Sequence, residues 1–441
     1  HNKINMPSEF FNLIQQWKEL HKGYHKDIHC VESYSIGKGQ HKRDMATLNM
    51  PKVISQELAT LIFNERAQIS VSDDNFNDYI QDIFKKNAFN SNFQQYLEFM
   101  FAQGGMVVKP YIENGEIKLG YATAESFIPV SWDNLRVTEA LFPSYIKKGK
   151  NSYTLLEWHV FENGQYVVRN ELYKSDNSEK IGTKVSLTEL YPDLAPEIIF
   201  NNVKRPLFAY FKPNTANNLD NSLPLGISLY ANSIDTLRTI DTIFDSYLRE
   251  YRLGKKRIIV SSSAIKAVPN KANGFERYFD VNDEAYEAMN VGGMDSEFMK
   301  EVNSTIRAQE HIDGLNTALD TLSLQIGFSP GTFSFNASGL KTATEIVSEN
   351  SKTFRTKKSH ENVIEQGITD LIEVIGILST ASGLYVAPSE YDVNVSFDDS
   401  ITTDKNVQLD NEIKAINAGI QSRVDAIMNY YGLSYNEAVD K

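Results

Sequence analysis

The sequence predicts a helix-rich α+β fold, and three features of its pattern support this class. Apolar residues recur at three- and four-residue spacings over several long segments, which is typical of amphipathic helices. Between residues 104 and 191 the pattern changes to short alternating runs separated by Asn-Gly pairs, which is typical of antiparallel strands. Farther along the chain, two long helical patterns bracket a short, turn-rich segment.

The composition is that of an ordinary globular protein, and it argues against several classes of site. The 441 residues are 41% hydrophobic and 11% aromatic, so the chain can bury more than one core. The net charge of -13 argues against a protein that grips nucleic acid over its whole surface, because phosphate binding needs clustered Lys and Arg. The single Cys30 excludes an intrachain disulfide and a zinc site made of cysteines alone. The best candidate membrane segment, residues 368–384, contains Asp370 and Glu373, so no membrane span is predicted.

The first half of the chain is predicted to be helical and then β-rich. Pro51 is placed to begin a helix, and a second helical pattern covers residues 76–101. The alternating segment 104–191 contains Asn114-Gly115 and Asn163-Gly164 between apolar runs. Asn-Gly supplies the two positive-φ residues that tight hairpins need, so antiparallel hairpins are expected there.

A Pro- and Asn-rich connector over residues 212–224 marks a boundary, and a long helical pattern follows it from about Ile227 to Gly254. One stripe of this helix is apolar. The opposite stripe is polar and carries both signs, which predicts one packed face and one face that is wet or lines a ring. Asp245 and Arg249 on this stripe are also an i,i+4 pair. The polar stripe comprises Asp235, Arg238, Thr242, Asp245, Arg249 and Arg252.

A small insert separates this helix from a second long one. Lys255, Lys256 and Arg257 lead into a predicted strand over residues 258–260, and the following residues are turn-rich. The second helix is predicted from about residue 295 to residue 326. The two helices are therefore expected to be an outgoing and a returning leg.

A loop rich in Gly, Ser and Phe, residues 327–341, is the most informative segment. It ends at Thr342 and Glu345, which match the Ser/Thr-x-x-Glu capping box that begins a helix. That helix is expected to continue to about residue 378, with a kink at Gly367. The remaining predicted elements are a strand over residues 391–397 and helices over residues 407–417 and 422–428.

This order of segments resembles that of the portal proteins of tailed bacteriophages, in particular long-tailed phages that infect Gram-positive hosts. The resemblance covers almost the entire chain and is strongest over residues 210–356. No single motif in it is as diagnostic as a set of zinc ligands. The stretches that carry it are residues 210–220 and 225–237, Leu253-Gly-Lys-Lys-Arg-Ile-Ile-Val260, the loop 327–345, and residues 348–356.

The resemblance implies a portal fold with named parts. These parts are a wing at residues 1–221, an outgoing stem helix at 222–254, a clip at 255–294, a returning stem helix at 295–326, a tunnel loop at 327–341, the wing's long helix and strand at 342–404, and a short crown at 405–441.

The resemblance also implies a function that is not enzymatic and needs no cofactor. About a dozen copies would form a closed ring at one capsid vertex and enclose the channel for packaging and ejecting double-stranded DNA. The implied partners are the terminase large subunit, scaffold, major capsid protein, head-completion or adaptor proteins and the DNA itself, with no membrane. The protein would assemble in the host cytoplasm and remain in the virion.

Site residues follow from the same resemblance. Lys255, Lys256 and Arg257 are expected to dock partners at the clip. Between residues 217 and 327 there are 16 acidic and 11 basic residues, which fits a channel that does not adhere to DNA and fits an ordinary acidic surface equally. The loop residues implied to face DNA are Ser329, Thr332, Phe333, Ser334, Phe335, Asn336 and Lys341.

Two other functional classes stay open at this stage. Asp398, Asp399 and Asp404 follow a predicted strand and have the chemistry to hold Mg²⁺ in a DNA-processing enzyme. We favour a simpler interpretation, in which Asp404 is the N-cap of the next helix. The other class is a minor structural adaptor protein that has no central channel.

Two N-terminal motifs suggest binding sites only weakly. His21, His25 and His29 follow one another at four-residue spacing, with Cys30 and His41 nearby, which is one pattern for a transition-metal site. We favour solvated histidines, because lysines interleave with them. The Gly-Lys-Gly segment at residues 37–39 lacks the spacing of a phosphate loop, so no ATP site is predicted.

The densest basic run lies on the helix after the loop. It either faces DNA or an acidic patch on a neighbouring subunit, or forms a solvated helix face. This run consists of Lys352, Arg355, Lys357 and Lys358.

Overall fold

A computed structural model provides the structure, and it confirms the helix-rich α+β class. Its helices and antiparallel strands are grouped along the chain much as the sequence pattern predicts. The residues that it describes are 7–35, 39–64, 67–177, 180–254, 257–260, 266–270, 274–278, 299–302, 305–335, 351–397 and 405–431.

The N-terminal helices are shorter and more numerous than predicted. Pro51 lies in the first turn of its helix, as expected, because proline lacks an N–H that this position does not need. The predicted helix over residues 76–101 is two helices, since Ala88 adopts a left-handed φ of 47° between them. The helices are α1 (Ser8–His21), α2 (Lys26–His29), α3 (Met50–Ile62), α4 (Asp74–Lys86) and α5 (Phe89–Gln103).

A hairpin of β1 (Cys30–Ser35) and β2 (Gly39–Asp44) was not predicted. Its residues are mostly polar, and those of β2 are exposed or half-buried, so the apolar alternation that signals a strand is absent. A further short strand, β3 (Gln68–Val71), precedes α4. The N-terminal hundred residues are therefore less purely helical than the sequence indicates.

The β region contains a six-stranded sheet and a three-stranded one, and its hairpins turn where predicted. Asn114-Gly115 and Asn163-Gly164 have positive φ at both residues, as the tight turns require. The strands are β4 (Met106–Glu113), β5 (Glu116–Thr123), β6 (Ile128–Asp133), β7 (Arg136–Lys148), β8 (Asn151–Glu162), β9 (Gln165–Ser175), β10 (Thr183–Val185), β11 (Glu197–Phe200) and β12 (Ala209–Phe211), with 3-10 turns at Ala124–Ser126 and Leu187–Glu189.

Both long helices of the predicted stem begin later than expected. The outgoing helix, α6 (Ile234–Leu253), starts after turns that already bury Ile227 and Tyr230, so these apolar residues belong to the connector. The returning helix, α7 (Ala308–Ile326), is preceded by a strand where the periodicity predicts helix. The strands between them are β13 (Arg257–Val260), β14 (Lys266–Asn270), β15 (Gly274–Tyr278) and β16 (Met299–Val302).

One long helix completes the core, and the chain then returns to the N-terminal strands. Helix α8 (Ser351–Ala381) runs through Gly367 without interruption. β17 (Val393–Ser396) then pairs antiparallel with β3. The terminal helices α9 (Lys405–Asn417) and α10 (Arg423–Tyr431) agree with the prediction, whereas the proposed capping box at Thr342 and Glu345 lies outside the described residues.

Helix α8 lies at the centre of one continuous apolar core that also includes α1, α3 to α7, β4 and β12. Its buried residues include Ile364, Ile368 and Leu371. Gly367 faces the Phe211 ring of β12 so closely that a Cβ would overlap it. In the part of the chain that the structure describes, no helix has the length and apolarity to cross a bilayer.

The contact at Gly367 predicts opposite outcomes for two Gly-to-Ala changes in helices. Gly367→Ala places a methyl group into the Phe211 ring, so we expect a loss of about 1–3 kcal/mol in the free energy of unfolding. Gly314→Ala on α7 meets no atom within 4 Å, so we expect a gain of about 0.5–1 kcal/mol from helix propensity. Chemical denaturation of the two variants checks this prediction. An unchanged free energy of unfolding for Gly367→Ala would contradict the close packing of Gly367 on Phe211.

Candidate functional site

The loop that follows α7 is the candidate functional site, and it begins with a helix stop that favours glycine. Gly327 has a φ of 88°, and the Phe328 N–H donates to the Ser323 carbonyl at 2.8 Å. A Cβ on Gly327 would lie 2.6 Å from Thr356 Oγ1 on α8. That hydroxyl donates to the Gly327 carbonyl at 2.6 Å, so the loop starts clamped between α7 and α8.

The next residues of the loop belong to the core. Phe328 is fully buried. The Ser329 N–H donates to Thr353 Oγ1 at 2.9 Å, and the Thr353 N–H donates to Ser329 Oγ at 3.3 Å. Ser329 is 1% exposed, the opposite of what a DNA-facing side chain needs, so its role in this structure is to anchor the loop on α8.

Two side chains of α7 hold the rest of the described loop. Asp320 Oδ1 accepts from the Gly331 N–H at 2.8 Å, and Asn316 Oδ1 accepts from the Phe335 N–H at 2.8 Å. Within the loop, Thr332 Oγ1 donates to the Ser329 carbonyl at 2.7 Å. The backbone up to residue 335 is therefore folded back along α7 and fixed to it.

The two phenylalanines of the loop have different environments. The Phe333 ring is half-buried, with its centroid 5.2 Å from that of Phe328. The Phe335 ring is 62% exposed. Thr332 is also exposed and Ser334 half-buried, while Asn336 and Lys341 lie outside the described residues. Phe335, Thr332 and Pro330 are thus the exposed side chains of the described loop.

The basic run on α8 is divided between the interior and the surface. Lys357 is 4% exposed, and its Nζ lies 2.5 Å from Glu361 Oε1 on the next turn. Lys352 Nζ donates to the Leu324 carbonyl at 2.6 Å and so ties α8 to α7. Arg355 and Lys358 are exposed. The four basic residues therefore do not form one cationic face.

Asp241 of α6 lies just beside the predicted polar stripe, and it fastens the N-terminal region to this helix. It is 5% exposed. Its carboxylate accepts from His29 Nε2 and Thr47 Oγ1, both at 3.0 Å, and from the Leu48 N–H at 2.8 Å. Three donors satisfy the buried charge, which would otherwise be costly to bury.

Asp245, one turn later, belongs to the predicted wet stripe but is buried. It is 7% exposed and accepts two hydrogen bonds from the Arg43 guanidinium, at 2.8 and 2.6 Å, and one from the Ala46 N–H. The Arg43 hydrogen bonds hold the pKa of Asp245 below its usual range. The other members of the stripe are exposed, namely Asp235, Arg238, Thr242, Arg249 and Arg252.

The N-terminal histidines have carboxylate partners, which corrects the prediction that they are solvated. His29 is 1% exposed and bound to Asp241. His21 Nε2 lies 2.8 Å from Glu98, and His25 Nε2 lies 3.9 Å from Glu19. The histidines also do not share one helix, because α1 ends at His21. Among the described residues, no group of three or more potential ligands could hold a metal ion.

Several predicted site residues lie outside the described residues. Lys255 and Lys256 of the predicted clip are among them, and so are Asp398, Asp399 and Asp404. Of the clip cations, only the backbone of Arg257 is described, and it begins β13.

The residues that sequence reasoning missed are Asp241, Arg43, Asn316 and Asp320. Each acts through a partner at least 11 positions away in the chain, so no local pattern marks it.

The ion pair between buried Asp245 and partly exposed Arg43 predicts a charge-dependent stability. We expect Asp245→Asn to lower the free energy of unfolding by about 1–2 kcal/mol at neutral pH, because the Arg43 guanidinium loses its ionic partner. The folded-state pKa is lowered, so this contribution is present above the unfolded pKa of about 4 and is lost as pH falls through the lower folded value. The exposed Asp235→Asn is the matched control on the same helix. Urea unfolding at several pH values checks this, and equal effects of the two variants would contradict it.

Comparison with known proteins assigns the chain to a family. Residues 1–437 match the model of the family described as phage portal protein, SPP1 Gp6-like. A comparison with curated proteins finds no match. The family match spans nearly the whole chain, including both long helices and the loop between α7 and α8. The chain therefore belongs to the phage portal proteins of the SPP1 Gp6-like family.

Proposed function

We propose that this portal protein forms a closed ring around a channel for double-stranded DNA, in which α6 and α7 are the stem and residues 327–341 are the tunnel loop. The observation that carries the proposal is the loop itself. It joins the end of α7 to the region before α8, is fixed to both helices by hydrogen bonds, and presents one largely exposed aromatic ring. An aromatic side chain placed in this way projects from a rigid support, as a channel constriction requires.

The chemistry of the described loop suits contact without adhesion. Residues 327–335 carry no charged side chain, so they offer no ionic contact to phosphates. Each such contact would add binding energy that has to be broken when DNA advances. The Phe335 ring and the Thr332 hydroxyl instead offer weak contacts to sugars and base edges. The loop is therefore proposed to guide DNA and not to hold it.

The other partners are assigned by family membership and stay proposals for this chain. Portal proteins are structural components of the capsid and are not enzymes. We propose that the clip around residues 255–294 docks the terminase large subunit during packaging and the head-completion proteins afterwards. The wing is proposed to contact the scaffold and the major capsid protein. Assembly is proposed to take place in the host cytoplasm.

The ring is the first prediction to test. We expect native mass spectrometry of the purified protein to show an oligomer of about a dozen copies. Negative-stain images of the same sample should show a central hole of about 20 Å or more, wide enough for a duplex. A particle that stays monomeric even when scaffold and capsid protein are present would overturn the proposal.

The two loop phenylalanines are predicted to have separable roles. Phe335→Ala should impair DNA packaging without changing the melting temperature or ring formation, because the ring is mostly exposed. Phe333→Ala should lower the free energy of unfolding by about 1–2 kcal/mol, because it removes a ring packed on Phe328. Tyr145→Ala is the control, since it removes an aromatic ring that is 70% exposed on β7. Packaging by Phe335→Ala at the wild-type level would contradict the proposed DNA contact.

A further inference from the structure

We propose that neighbouring copies in the ring are joined at the stem by an ionic contact between the arginines of α6 on one copy and the carboxylates of α7 on the next. This inference rests on the proposed ring and names the residues that join its subunits. It follows from which charges the chain neutralises internally and which it leaves open.

The acidic residues in the middle and far half of α6 all have partners within the chain. Asp241 and Asp245 bind the segment that contains Arg43, Thr47 and Leu48, as described above. Glu250 pairs with Arg307, whose Nη2 lies 3.1 Å away. The mixed-sign stripe of the sequence is therefore, in the folded chain, an exposed face with an excess of positive charge.

That face is carried by three arginines. Arg238, Arg249 and Arg252 are exposed, and the guanidinium groups of all three lack a hydrogen bond or salt bridge to a described residue. Arg249 acts on Asp245 only as a nearby charge, and the Asp245 oxygens accept hydrogen bonds from Arg43 and the Ala46 N–H. An exposed cationic stripe on a protein with a net charge of -13 favours the binding of an anionic partner.

Helix α7 presents the opposite charge. It contains no Lys or Arg, and its exposed residues include Glu310, Asp313, Thr317 and Thr321. Asp313 accepts a neutral hydrogen bond from Gln309 at 2.8 Å, and Glu310 is near the charge of Arg307. Neither carboxylate has a salt bridge to a described residue, so both are open to a cation.

The two charged faces lie on opposite sides of the helix pair. Tyr247 of α6 and His311 of α7 face each other, with ring centroids 6.0 Å apart. Arg249 is two residues after Tyr247, and Asp313 is two residues after His311. Two residues turn a helix by about 200°, so Arg249 and Asp313 each point away from the partner helix. A helix pair with one positive outer side and one negative outer side can bind identical copies head to tail.

Cyclic symmetry then brings the two faces to the same height. A ring is generated by rotation alone, so for helices that run along the ring axis each residue keeps its level in every copy. Glu250 lies against Arg307 and within 4.0 Å of His311, which sets Arg249 level with this part of α7. Glu310 and Asp313 of the next copy are then within about one helical turn, ~5 Å, of that level.

A second copy fits both faces better than DNA does. A duplex would attract the arginines of α6 but repel the carboxylates of α7, so it would use only one face. A copy of this chain carries both faces and uses each once, which closes a ring of identical contacts.

Charge reversal tests the inference on the full chain. Arg249→Glu with Arg252→Glu should raise at least tenfold the protein concentration at which rings form, measured by native mass spectrometry and sedimentation at low salt. Glu310→Arg with Asp313→Arg should do the same. All four changes in one chain should restore ring formation to near the wild-type concentration, because the signs are exchanged on both sides. The control is Lys147→Glu with Lys148→Glu, an equal charge change at the exposed end of β7.

The outcomes separate the inference from the ring on which it rests. A wild-type protein that forms no ring even when scaffold and capsid protein are present overturns the proposed function. If the wild type forms rings and both reversed pairs do so equally well, the ionic contact is wrong. Normal rings with altered DNA packaging in Arg249→Glu with Arg252→Glu would show that these arginines face DNA instead. If the variant with all four substitutions does not form rings, mixing the two charge-reversed double variants provides a second test, because alternating copies of them have complementary faces. Failure of both rescues overturns the inference.

Discussion

The packing of α8 through the core is the interaction on which the rest of the subunit depends. Gly367 lets the helix approach Phe211 of β12, and Asp370 on the next turn binds Arg205 and Arg136 from the β region. Near its other end, Thr353 and Thr356 hold the loop after α7. Because interiors are close-packed and transmit displacement, one helix thereby relates the position of the β region to that of the loop.

This arrangement explains how the uncharged loop segment 327–335 can be positioned accurately. Besides contacts within the loop, α7 and α8 hold it by supplying Asn316, Asp320 and Thr353 as hydrogen-bond partners. Its polar anchors face inward and leave Phe335 outside. In the proposed channel the relevant chemistry is the fixing of a surface.

Helix α6 shows that folding decides which charges of a sequence pattern remain exposed. Along the sequence, acidic and basic residues share one stripe of the helix. In the structure Asp245 turns to Arg43, and Asp241 beside the stripe takes three donors, so the exposed remainder is mainly cationic. The hydrogen bonds that Asp241 and Asp245 accept offset the cost of burying them, and burial removes both carboxylates from the surface. The charge that α6 presents at the surface is therefore decided by internal pairing.

The sequence by itself determined the local features of this protein. Asn-Gly pairs predicted the hairpin turns, Gly254 predicted the end of α6, and apolar periodicity predicted α6 and α7 apart from their starts, because each depends on backbone preferences within a few residues. Family resemblance predicted the portal assignment from the order of segments. Tertiary structure alone decided that Ile227 belongs to the buried connector and that Ser329 is an anchor. It also decided that the polar hairpin of β1 and β2 contacts α6 through Arg43. These depend on residues distant in the chain, and contacts of that kind leave no periodic trace in a single sequence.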